Sequence, residues 1–119
     1  MPNPFGVPEL TVQEVAEKRR SGVPFLWLDV REPVEWTAAR IDDADILTVP
    51  LSELAERQLD ALPEALLDRE AEIVVFCHHG VRSAQVAAWL RQQGWKRVYN
   101  MAGGIDAWAR EIDPSVGSY

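Results

Sequence analysis

The stretch EIVVFCHHGVRSAQVAAWLRQQG, residues 72–94, decides the fold. Its first five residues are apolar after Glu72 and rich in β-branched side chains, the composition of a strand buried on both faces. Residues 83–93 read as a helix, apolar over most of the first turns and ended by Gly94. Between the two lie the chain's one cysteine, Cys77, and both of its histidines, His78 and His79. A buried strand that feeds a helix through a short polar loop is half of a parallel strand–helix–strand unit.

The same alternation extends outward in both directions. Residues 1–10 hold three prolines and a glycine and read as an irregular opening segment. Thr11 and Glu14 then have capping-box spacing ahead of a helix that Gly22 can end. PFLWLDV is a strand, and REPVEW starts a short helix at its proline. DILTVPL is a second strand candidate, closed by Pro50. SELAERQLDAL reads as a helix capped by Ser52, and PEALLDREA as another begun by Pro63. KRVYNM is a short strand, GGIDAWAREI a last helix, and residues 112–119 a short tail. This predicts one α/β domain over residues 1–119, with a central, mainly parallel sheet of about five strands and helices on both faces. In such sheets the working site lies beyond the carboxyl ends of the strands, where Asp29 and Cys77 both fall.

Composition narrows the function. The chain has 119 residues, and a domain of that size buries about two-thirds of its unfolded surface, so one core suffices without metal or disulfide. Its 47% hydrophobic and 26% charged residues are those of a soluble globular protein. A net charge of -7 argues against nucleic acid, and it requires that any attraction for an anionic substrate be local. Apolar runs of about five residues are far short of the roughly 20 that span a bilayer. MPNPFGVPEL lacks a basic segment followed by an apolar stretch, and a lone thiol suits a reducing compartment; the expectation is cytoplasmic.

The loop from Cys77 to Arg82 admits three chemistries. A thiolate is the reactive form of cysteine, and a free thiol with a pKa of about 8.5 is mostly protonated at neutral pH. Three features favour the thiolate here: the N-terminus of the following helix, a turn at Gly80 that can aim successive amides at one point, and the permanent charge of Arg82. A structural reading, in which Cys77 merely ends a buried strand, competes with this. A metal site would need more ligands than adjacent His78 and His79 with Cys77 can converge, so no metal and no cofactor are expected. Either histidine as general base is the third reading, although a thiolate already held by amides needs none. The five tryptophans read as packing residues.

CHHGVRS, reached from a hydrophobic strand and followed by AQVAAWLRQQGWKRVYNMAGGIDAW, resembles a single-domain rhodanese, a sulfurtransferase. The upstream LDVREPVEW matches the family's other signature, so the resemblance runs from about Leu26 to Trp108. It implies that Cys77 carries a persulfide within a loop ending at Arg82. Four residues lie between Cys77 and Arg82. That is the length seen in sulfurtransferases; related phosphatases and arsenate reductases have one more. The implied reaction is attack of Cys77 on the outer sulfur of a donor such as thiosulfate, then transfer to cyanide or a thiol. A sulfur-accepting protein is a further partner, and a relay module with low intrinsic thiosulfate activity is the main alternative. By the same resemblance, Arg82, His78, His79, Gly80, Val81 and Ser83 contact the substrate, and Asp29 and Arg31 support the rim. One departure is marked: Ala39-Arg40-Ile41-Asp42-Asp43-Ala44 stands where the family carries Gly-His-Ile and then Gly-Ala, which leaves the shape of that loop open.

Overall fold

The computed structural model describes residues 3–119. It contains the strands β1 (Glu9–Leu10), β2 (Leu26–Asp29), β3 (Ile46–Thr48), β4 (Glu72–Phe76) and β5 (Arg97–Met101). They form one parallel sheet in the order β1-β5-β4-β2-β3. The helices are α1 (Val12–Ser21), α2 (Pro33–Trp36), α3 (Leu51–Arg57), α4 (Val81–Gln92) and α5 (Gly104–Glu111). β4 is central because it alternates apolar side chains to two cores. Ile73 and Val75 face one core with Leu28, Val86, Leu90 and Trp95, and Val74 and Phe76 face the other with Val15, Trp27, Ile105 and Trp108. Each such fully buried aliphatic contributes about 2 kcal/mol relative to exposure. The expected α/β architecture, with helices on both faces, is the one observed.

Local signals account for most boundaries. The Thr11 capping box forms, with the Thr11 hydroxyl accepting from the Glu14 amide at 3.1 Å and Glu14 returning to the Thr11 amide at 2.9 Å. Gly22 ends α1 in the left-handed conformation, at φ 77°.

Four expectations are corrected. The opening segment is not wholly irregular, because Glu9–Leu10 pairs with Asn100–Met101 as an edge strand. Two residues are too few to show a period, so this strand exists by pairing and not by propensity. Ser52 does not cap α3, which starts at Leu51 after Pro50; its hydroxyl instead donates to Glu32 at 2.6 Å. The segment after Pro63 is a single 3₁₀ turn, Glu64–Leu66, and no longer helix. α4 begins at Val81, two residues before the expected start at 83, because the helix follows directly on the turn that Gly80 makes at φ 97°. The loop at 39–44 is irregular but anchored. Ala39 and Ile41 are buried, the Arg40 amide donates to the Val116 carbonyl at 2.8 Å, and Asp43 pairs with Arg19 at 2.8 Å.

Candidate active site

Cys77 follows β4 at the carboxyl edge of the sheet and is 1% exposed. The positive φ at Gly80 folds the chain back so that three donors converge on one sulfur. The Gly80 amide lies 3.2 Å from Sγ, the Ser83 amide 3.4 Å and the Ser83 hydroxyl 3.3 Å. Val81 and Arg82 take the first two positions of α4, where amide N–H groups have no partner within the helix. The loop is thus a ring of donors around sulfur, set at the positive end of a twelve-residue helix.

The ring is held from behind. The Cys77 and His78 carbonyls accept from the Ile105 and Asp106 amides, at 2.8 and 3.0 Å, which clamps the loop to the start of α5. Gly104 allows that approach: a Cβ there would stand 2.4 Å from both carbonyl oxygens. Asn100 on β5 closes the inner side. Its Nδ2 donates to the Gly80 carbonyl at 3.0 Å and to Glu9 at 2.7 Å, which fixes the amide orientation and turns Oδ1 toward Ser83. The Ser83 hydroxyl lies 2.5 Å from that Oδ1. Ser83 has a single hydroxyl proton, so the sulfur and Asn100 compete for it.

The arginines are matched by carboxylates. Arg82 gives its two terminal nitrogens to the two oxygens of Glu35, at 2.6 and 2.7 Å, in a bidentate pair. Glu35 also accepts from the Tyr119 hydroxyl at 2.9 Å and from the Glu32 amide at 2.8 Å. Arg31, fully buried, donates to Asp29 at 2.9–3.2 Å, to the Ala39 carbonyl at 2.8 Å and to the Tyr119 oxygen at 3.3 Å. The hydrogen bonds from Arg82 pull the Glu35 carboxyl down to about 2, and the same partner raises Arg82. Burial raises the Tyr119 phenol.

A folded-state value below the ordinary one means that the Glu35 contribution is complete above about pH 4.5 and lost as pH falls toward 2. The pair is partly exposed, so the contribution is about 1 kcal/mol. Urea unfolding should therefore show Glu35→Gln less stable than the parent at pH 7, with the gap narrowing below about pH 4.5 and mostly gone near pH 2. A gap that does not change with pH would mean that Glu35 acts through shape and not charge.

The histidines form a stack at the mouth. The His78 ring lies 3.9 Å from that of His79 and 3.7 Å from that of Tyr119, nearly parallel to the latter at 11°. Burial, then the neighbouring His79, lowers the His78 pKa, and its buried Nε2 has no hydrogen-bond partner. Ligand atoms of His78, His79 and Asp106 come within 4.8 Å of one another, closer than the sequence alone implied. Stacked imidazoles aim their in-plane lone pairs side by side, however, so a shared tetrahedral ion would require the rings to rotate.

The geometry sorts the residues named from sequence. Cys77, Gly80 and Ser83 meet at the sulfur. Arg82 is turned to Glu35, and Val81 is exposed at 64%. His78 and His79 line the mouth, while Asp29 and Arg31 lie behind it and reach the loop through Tyr119 and Glu35. Sequence reasoning missed Glu35, Asn100, Glu9 and Tyr119. Asn100 was the most accessible of these, since a carboxamide inside a strand of a two-faced sheet must find polar partners.

Comparison with known proteins agrees with this geometry. A family profile described as "Rhodanese-like domain" matches residues 11–111. The Mycobacterium tuberculosis protein named "Probable adenylyltransferase/sulfurtransferase MoeZ" is 36% identical over 92% of the chain, which spans only 26% of that protein. A sulfurtransferase of Allochromatium vinosum is 33% identical over 92% of the chain and 95% of its own length. The crystal structure of a rhodanese-related protein from Thermoplasma volcanium superposes with a TM-score of 0.70 at 30% identity, covering 88% of this chain and 93% of that one.

Proposed function

Since this chain belongs to the rhodanese-like domain family, we propose that it is a sulfurtransferase in which Cys77 carries sulfane sulfur as a persulfide. The observation that carries this reading is the convergence of the Gly80 amide, the Ser83 amide and the Ser83 hydroxyl on one buried sulfur. The Cys77 thiolate attacks the outer sulfur of a donor such as thiosulfate. An S–S bond forms at Sγ, the donor's own S–S bond breaks, and sulfite leaves with the electron pair. The new outer sulfur comes to rest against the amides at the start of α4. A thiol, cyanide or a sulfur-accepting protein then takes it and restores the thiolate, which is ping-pong covalent catalysis. His78 and His79 border the path of both substrates. Asp29 and Arg31 hold the rim by fixing Tyr119, and Arg82 shapes the loop mouth through Glu35.

A relay role, in which the acceptor is another protein, uses the same steps. Among the described residues no helix is long and apolar enough to cross a membrane. We place the reaction in the cytoplasm on a separate ground, that a lone thiol suits a reducing compartment. Prolonged incubation with excess thiosulfate should add one sulfur atom to the intact mass. Cyanide should remove it, and Cys77→Ser should never acquire it. Phosphate-ester hydrolysis without any sulfur adduct would overturn the reading.

A further inference from the structure

Charge at the loop mouth is balanced in pairs. Arg82 is held by Glu35 through two short hydrogen bonds and Arg31 by Asp29. Glu35 is itself fixed, because Tyr119 and the Glu32 amide also donate to its carboxylate. Asp106 lies 3.8 Å from His79 and 3.1 Å from Arg110. The whole chain adds a field of -7.

Thiosulfate is a poor match for such a mouth. Its two negative charges travel together, and Arg82, the cation that the cysteine loop itself carries, is already neutralised by Glu35. An alkyl persulfide differs in where its charge sits. It presents at most one charge, on the sulfur that the amides receive, and its leaving group is a thiolate on a carbon tail. Exposed apolar side chains adjoin that pair in sequence: Val34 and Val81, each one residue before a member of the Glu35–Arg82 pair, are 74% and 64% exposed.

We propose that Glu35 is a specificity-determining residue: by occupying Arg82 it disfavours inorganic dianions and reserves Cys77 for sulfur delivered on an organic thiol, as an alkyl persulfide. This rests on Cys77 being the sulfur-accepting nucleophile. In the transfer the Cys77 thiolate attacks the outer sulfur of R–S–S–H. The Sγ–S bond forms, the donor S–S bond breaks, and the electron pair leaves on the thiolate R–S⁻. The proton of the outer sulfur stays with it, and no oxidant or reductant is consumed.

The test measures second-order loading of Cys77 by intact mass with three donors: thiosulfate, 2-hydroxyethyl persulfide and persulfidated serum albumin. Glu35→Gln keeps the shape and one acceptor, enough for either the Tyr119 hydroxyl or the Glu32 amide, and removes the charge. It should accelerate thiosulfate about tenfold, the worth of one contact charge in a partly wet site, and change the persulfide rates less than about twofold. Tyr119→Phe, which loosens the carboxylate without removing it, should move the ratio the same way by less. The faster of the two persulfides identifies whether sulfur arrives on a small or a protein thiol. An unchanged thiosulfate-to-persulfide ratio in Glu35→Gln overturns the proposal, including the case where general damage slows all donors together. No adduct from any donor overturns the sulfurtransferase reading itself.

Discussion

Gly104→Ala is expected to cost more than 3 kcal/mol and to disable the cysteine loop, whereas Gly22→Ala costs about 1 kcal/mol. Both glycines have positive φ, +61° and +77°, so both substitutions incur the left-handed penalty. Only Gly104 has neighbours. A methyl there would sit 2.4 Å from the Cys77 and His78 carbonyl oxygens, whereas nothing lies within 4 Å at Gly22. Relieving the clash means pulling the loop off α5 and breaking the hydrogen bonds from the Ile105 and Asp106 amides. Two carbonyls then lose their donors, and that of buried Cys77 alone costs about 1–3 kcal/mol. Urea unfolding of the two variants measures the difference. Sulfur loading of Gly104→Ala, at a temperature where it remains folded, should be slower than that of Gly22→Ala by more than about tenfold, since the amides around the sulfur move with the loop. Equal stability of the two variants would mean that the α5 junction tolerates expansion.

Arg31→Met is the second large effect, an expected loss of about 3–5 kcal/mol. The guanidinium is fully buried and donates to Asp29, Ala39 and Tyr119. Removing it strands the Asp29 carboxylate, which is itself 3% exposed, without its cation. The double variant Asp29→Asn, Arg31→Met should be more stable than Arg31→Met alone, because no unpaired charge remains. Measured as a double-mutant cycle, a coupling near zero would show that Arg31 contributes by packing and not by neutralising Asp29. Arg31→Lys should fall between, since one ammonium cannot reproduce the fork that serves a carboxylate and a carbonyl at once.

The sequence was legible where a single element carries the signal. β4 announces itself by five residues of strand composition, α1 by its capping box, and Cys77 by its place between a buried strand and a helix. The other half of the site was hidden because it depends on pairings between distant segments. Glu35 looks like any acidic residue in a first helical turn, and its partner Arg82 is 47 positions away. Tyr119 falls in a tail that no periodicity describes, yet it joins Arg31, Glu35 and His78. The same blindness explains β1, whose two residues become a strand only because β5 offers an edge. The resemblance implies that Arg82 contacts the donor, and residue type alone does not show that a carboxylate holds the same guanidinium.

The ties on the loop also bear on when it forms. Glu9 reaches Asn100 across 91 positions, and Tyr119 reaches Glu35 across 84. Contacts of such separation carry a large loop-closure cost and arise late in folding, after the local helices. A chain with β4 and α4 in place, but neither edge strand nor tail docked, would hold its cysteine in an unfinished ring. The thiol therefore gains its full set of surroundings only when the edge strand and the tail have both docked.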